Sequence, residues 1–229
     1  MLYMKDYRKF LGDGSANAQG EDLGSFLEKY DAKKYDNPVN TVDNLILRHR
    51  KDENGKEGFQ ILMIKRKNHP SIGWWALPGG FVELRESLEE AAARELWEET
   101  SVKDIPLVQV RTFSRADRDP RWHIITTTFL SILTDEVTAR AGDDAAEAIW
   151  MDVSYGKMAI SEEEEICVLT LRADDITISS KARRTIKKMP YLTTDDYELL
   201  ESDGIAGDHG ILIMDALEYL WGHGGKKEE

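Results

Sequence analysis

Apolar residues are sparse over the first 38 positions and then gather into runs with strand-like spacing. Residues 1–38 are polar, with short helical candidates around Lys5–Leu11 and Leu23–Tyr30 and the loop "GDGSANAQG" between them. This segment reads as an N-terminal arm for packing or a dimer contact. From residue 39 onward, "VNTVDNLILRHR" and "GFQILMIKRK" are β-branched runs separated by "KDENGKE", whose Asn54-Gly55 is a hairpin signal. "LVQVRTF" and "HIITTTFLSIL" read as two further strands joined by "SRADRDPRW", and "AEAIWMDV" as another. Helices are predicted over Leu88–Thr100 and about His209–Trp221. Between the last strand and the final helix, residues from about 166 to 200 read as a small β insertion. "ICVLTLR" and "DITISSKAR" alternate there around a turn at Ala173-Asp174-Asp175. Residues 39–221 are therefore read as one α/β domain with a mixed sheet, and 222–229 as a frayed tail.

The helix over Leu88–Thr100 has a well-marked start. Ser87 can cap it, and Glu90 three residues on completes a capping box. Glu95, Glu98 and Glu99 are spaced i, i+3, i+4, so one face gathers three carboxylates below Leu88, Ala91 and Ala92. Crowded carboxylates repel one another, and a hard divalent cation with oxygen ligands, such as Mg²⁺, relieves that repulsion. Arg94 can hold or screen a neighbouring carboxylate. A Glu-Glu pair on a helix is usually a solvated face. The longer string is more specific: Gly80, Glu86, Arg94-Glu95, an apolar Leu96, Glu98-Glu99 and an apolar Val102.

Composition narrows the function classes. The 229-residue chain carries a formal net charge of −13, which disfavours nucleic acid and anionic membranes as partners. An anionic substrate would then need local arginines or a cation. No apolar stretch reaches membrane-helix length, and no export signal is visible at the N-terminus. Cys167 is the single cysteine, which rules out an intramolecular disulfide and fits a reducing, cytoplasmic setting.

The spaced string resembles the Nudix box, with Ser101 where that family has the glycine that ends the helix in a left-handed conformation. The resemblance spans about Phe26 to Trp221. It implies a Nudix-type α/β/α sandwich and hydrolysis of a nucleoside diphosphate linked to another group, dependent on Mg²⁺ with Mn²⁺ as a possible substitute. By the same resemblance Glu95, Glu98 and Glu99 are metal ligands and catalytic groups, and the Gly79 carbonyl is a backbone metal ligand. Glu86 supports the loop–helix junction, and Arg94 orients the glutamates. Gly79-Gly80 allows close backbone approach to metal and phosphate. A carboxylate outside the helix could complete the base: Asp144, Glu147 or the run Glu162–Glu165, with Glu147 preferred.

The box does not choose the substrate. In "TFSRADRDPRWHIITTTF", Arg118 and Arg121 flank Asp119-Pro120, and arginine forks suit phosphate. The bland alternative is a hairpin tip with Arg118 paired to Asp119. The stretch resembles a signature of the ADP-ribose pyrophosphatase group, as do "KRKNHPSIGWWALPGGFV" and "SDGIAGDHGILIMDALEYL". The departures are Trp122-His123 after the signature and Gly207 before Asp208-His209. Lys65, Arg66 and Lys67 add positive charge, with Arg66 and Gly80 counted among the substrate-binding candidates. Trp74 and Trp122 could stack on a base, while Trp75 suits the core. His69 and His209 read as structural, and Asp208 as a cap for the final helix. The expected activity is cleavage of ADP-ribose to AMP and ribose 5-phosphate by a homodimer. The alternatives are other nucleoside diphosphate derivatives, such as a sugar nucleotide, a dinucleotide or an oxidised nucleotide, and an ADP-ribose-sensing transcription regulator. Against the regulator stand the complete glutamate set, the acidic charge and the chain's end soon after the closing helix.

Overall fold

The computed structural model describes residues 3, 4, 6–51, 57–133 and 145–224. Asn54-Gly55 and Asp144 lie outside the described residues. The chain divides into two compact units, Met1–Asn37 and Pro38–Glu229. In the first, the stretch around Lys5–Leu11 forms only a 3₁₀ turn, Arg8–Phe10, and α1 spans Leu23–Lys29. The Asp22 carboxylate caps α1 by accepting from the Ser25 N–H at 2.8 Å.

The second unit is built on a ten-stranded mixed sheet. Its strands are β1 (Val39–Lys51), β2 (Glu57–Arg66), β3 (Trp75–Ala76), β4 (Gly79–Phe81), β5 (Val108–Phe113), β6 (Ile124–Leu133), β7 (Ala145–Ala159), β8 (Glu164–Ala173), β9 (Ile176–Met189) and β10 (Leu192–Asp203). The order is β10-β9-β8-β7-β2-β1-β6-β5, with β3 on β2 and β4 on β1. Among the described residues, β1–β6 is the one parallel pair of strands.

Side-chain alternation along β1 and β2 sends opposite faces into separate cores. Leu45, Leu47, Ile61 and Met63 pack with Leu212, Ile213 and Leu217 of helix α3 (His209–Gly224). Ile46 and Leu62 pack with Leu96 of helix α2 (Leu88–Thr100). The sheet is thus covered by one helix on each face, an α/β/α sandwich. Leu96 is fully enclosed, and truncating it to alanine would cost about 2–5 kcal/mol. No helix among the described residues is long and apolar enough to cross a membrane.

The segment read as a small insertion extends the main sheet instead. β7 continues to Ala159, and β8, β9 and β10 follow it as an antiparallel meander. β10 leaves little trace in the sequence because Tyr197 is its one buried residue. Helix α2 keeps its predicted bounds, and both halves of its capping box form. Ser101 ends it at φ 60°, ψ 13°, so serine takes up the left-handed conformation rather than closing the turn another way.

Candidate active site

The site forms where β4 lays the glycines of the box against β1 and presents them to α2. Val42 pairs with Gly80 and Asp43 with Gly79. A Cβ on Gly79 would collide with the Val42 carbonyl, and one on Gly80 would lie 2.5 Å from the Glu95 carboxyl group. Both glycines are therefore demanded by close approach. The Gly79 N–H donates to Glu99 Oε2 at 2.8 Å. Beyond Ala91 and Ala92, the inward stripe of α2 continues into Glu95 and Glu99.

Arg94 organises the remaining carboxylates. Its Nε and Nη2 donate to Glu86 at 3.1 and 2.7 Å, and its Nη1 donates to Glu95 at 2.8 Å and Glu98 at 3.1 Å. Glu86 also accepts from the Glu83 N–H at 2.6 Å, which ties the loop to the helix. The three helix glutamates are divided between two anchors: one Arg94 nitrogen, Nη1, binds both Glu95 and the half-exposed Glu98, while Glu99 turns in to Gly79. Among the described residues, no three carboxylate, imidazole or thiol groups converge as a ready-made metal cluster.

Burial pushes the Glu99 carboxyl up to about 8, helped by the nearby Glu95 and Asp43 charges and opposed by the Gly79 N–H. Burial also raises Glu95, against the pull of Arg94. The Arg94 guanidinium holds Glu86 below the usual carboxylate range. The buried Glu99 and half-buried Glu95 carboxylates and two glycines with bare backbone offer oxygen donors to a hard divalent cation, and a cation there would favour the ionised carboxylates. By donor chemistry, the residues present fit such an ion.

These groups open onto a cleft of about 540 Å³. Arg66 reaches it, buried enough that its pKa falls, with the nearby Arg121 charge adding to the effect. Its Nε donates to the Pro70 carbonyl at 2.7 Å. Arg121 also borders the cleft, lies over the Phe81 ring and pairs through Nε and Nη2 with Asp119 at 3.0 and 2.8 Å. The fork of Arg118 is used internally: Nε and Nη2 bind both oxygens of Asp208, at 2.9 and 2.8 Å. Arg118 is only 7% exposed, so it is spent on neither Asp119 nor an open phosphate site. Asp208 correspondingly directs its carboxylate to Arg118, while its carbonyl accepts from the Ile211 and Leu212 N–H groups.

Glu147 stands apart, about half exposed and bound to Lys65 at 2.9 Å, and it does not border the cleft. The Glu162–Glu165 run does not border it either, and Glu165 pairs with Arg184 at 3.3 Å. Trp75 is 4% exposed in the core, whereas Trp74 and Trp122 face outward and do not border the cleft. His69 and His209 do border it. His209 Nδ1 accepts from the Leu77 N–H at 3.1 Å, which gives that ring a structural bond.

Asp43 was missed by sequence reasoning. It is buried in the cleft wall and its Oδ2 accepts from Thr126 Oγ1 at 2.6 Å. The available signal was a lone carboxylate inside the otherwise buried stretch of β1.

The NUDIX domain profile matches residues 44–167. Over 147 residues the chain is 42% identical to an ADP-ribose pyrophosphatase of Methanocaldococcus jannaschii, covering 61% of this chain and 79% of that protein. It is 36% identical over 111 residues to the ADPR responsive transcriptional repressor NtrR of Acinetobacter baylyi, covering 48% of this chain and 42% of the repressor. A MutT/nudix family crystal structure from Enterococcus faecalis superposes with a TM-score of 0.66 at 30% identity, covering 95% of this chain and 74% of that one. The chain belongs to the NUDIX domain family. It is a pyrophosphohydrolase of that family.

Proposed function

We infer that the chain hydrolyses the diphosphate of ADP-ribose to AMP and ribose 5-phosphate, using Mg²⁺ or, in its place, Mn²⁺. The observation that carries this reading is that one cleft gathers buried carboxylates and arginines: Glu95, Glu99 and Asp43 with Arg66 and Arg121. The similarity to the archaeal ADP-ribose pyrophosphatase supports the substrate.

Glu95, Glu98, Glu99 and the Gly79 carbonyl would hold the cation, which when bound supplies charge neutralisation and Lewis acidity toward phosphate oxygens. Arg66 and Arg121 bind and orient the diphosphate. Arg94 fixes the rotamers of Glu95 and Glu98, and Glu86 fixes Arg94. Glu99 has Oε2 anchored on the Gly79 N–H, leaving Oε1 as its donor to the cation. Glu147, held by Lys65, lies outside the cleft. The reading also includes a cytoplasmic setting and pairing of two chains.

The test is a panel of nucleoside diphosphate derivatives with Mg²⁺ and Mn²⁺, scored by phosphate released after phosphatase coupling. ADP-ribose is expected to be the preferred substrate. Similarity to the repressor favours a second reading, an ADP-ribose-binding regulator. Binding of ADP-ribose without turnover of any compound in the panel would select that reading.

A further inference from the structure

A second cleft, of about 570 Å³, lies against the first. Arg118, Gly207 and Asp208 border both, so the partition between them is a single layer of residues. The Arg118–Asp208 ion pair forms its solid part. Gly207 has no side chain, sits at φ 49° and would meet nothing within 4 Å of an added Cβ. Gly207 therefore adds no side chain to the partition.

The two clefts differ in chemistry. The first holds the carboxylates of α2 together with Arg66 and Arg121. In the second, the cations are spent on internal partners. Arg111 binds Asp195 and Asp215, both at 2.7 Å, Arg115 binds Asp117 at 2.9 Å, and Arg118 is held by Asp208. Every guanidinium of that lining has a carboxylate partner, and the lining also carries Asp196 and Glu198. Phe113, Tyr197, Leu199 and Ile211 give it apolar and aromatic surface. Such a lining suits an uncharged flat ring better than an anion.

We propose that the second cleft is a nucleobase subsite, with the substrate passing at Gly207 from the diphosphate cleft so that its base lies against Phe113. This rests on the reading of the first cleft as the diphosphate site. It makes Gly207 and Phe113 determinants of specificity for nucleoside-bearing diphosphates over bare diphosphates.

The experiment is calorimetric titration of the full chain, in Mg²⁺ buffer, with ADP and separately with inorganic pyrophosphate. The readout is the ratio of the two affinities. Two variants are compared with the parent. Gly207→Asn keeps a residue that tolerates the left-handed region and puts a side chain into the partition. Phe113→Leu keeps apolar bulk and removes the ring. The ADP-to-pyrophosphate affinity ratio is expected to fall at least fivefold in each. A ratio within twofold of the parent's in both overturns the proposal. Turnover of ADP-ribose by the parent, measured alongside, separates the failures. With turnover intact and the ratio unmoved, the subsite alone falls. With no turnover and the ratio unmoved, the diphosphate reading falls with it.

Discussion

Replacing Glu99 by glutamine should stabilise the metal-free protein while removing its activity. Burial and the neighbouring Glu95 and Asp43 charges push the Glu99 carboxyl from its ordinary 4.5 to about 8. On unfolding, the side chain returns to its ordinary value. Between pH 4.5 and 8 the unfolded chain has lost a proton that the folded chain still keeps, so rising pH favours unfolding across this window. Above pH 8 the penalty is complete and levels off. At 1.36 kcal/mol for each tenfold change in acidity it comes to about 5 kcal/mol, an upper bound because water entering the cleft relieves part of it. Glutamine can still accept from the Gly79 N–H and carries no charge. In urea unfolding with EDTA, Glu99→Gln and the parent should have similar stability near pH 4.5. Glu99→Gln should be the more stable by about 2–5 kcal/mol at pH 8.5. Saturating Mg²⁺ should stabilise the parent and leave the variant unmoved. A stability difference between the two proteins that does not change from pH 4.5 to 8.5 would refute the reasoning.

Other substitutions probe the remaining parts of the site. Glu98→Gln should abolish Mg²⁺-dependent turnover with an unchanged circular dichroism spectrum, and full activity would remove Glu98 from the metal set. Gly80→Ala drives a methyl group into the Glu95 carboxyl and should lower kcat by about a hundredfold, read by steady-state kinetics. Arg118→Ala leaves the largely buried Asp208 carboxylate without its partner, so thermal melting should show a loss of about 3 kcal/mol. A higher KM at unchanged stability would instead return Arg118 to direct phosphate binding. Ser101→Gly relieves a left-handed serine and should add about 0.5–1 kcal/mol, or about 1–4 °C in Tm.

The parts of the site written in local spacing were legible in the sequence. Ser87 and Glu90 announce the start of α2, and the intervals from Gly80 to Glu99 specify which carboxylates belong together. Spacing could not reveal how those carboxylates divide. Glu98 and Glu99 are adjacent in sequence, yet one meets Arg94 and the other turns in to Gly79, because consecutive helix positions project about 100° apart and only Glu99 faces the β4 backbone. Long-range pairings were invisible for the same reason. Arg118 finds Asp208 90 residues away, and Asp43 finds Thr126 at a separation of 83. The sequence reading preferred Glu147 as the outside base from its place beside a strand, but the pairing of β2 with β7 puts it on Lys65. Strand β10 was missed because an edge strand with one buried side chain carries almost no alternation.

The central claim is tested most directly by incubating ADP-ribose with the parent protein and the Glu99→Gln variant in Mg²⁺ and identifying the products by mass spectrometry. The account predicts equimolar AMP and ribose 5-phosphate from the parent, and loss of both products in the variant or after EDTA. Intact ADP-ribose with the parent, cleavage at any bond outside the diphosphate, or equal turnover by Glu99→Gln would contradict it.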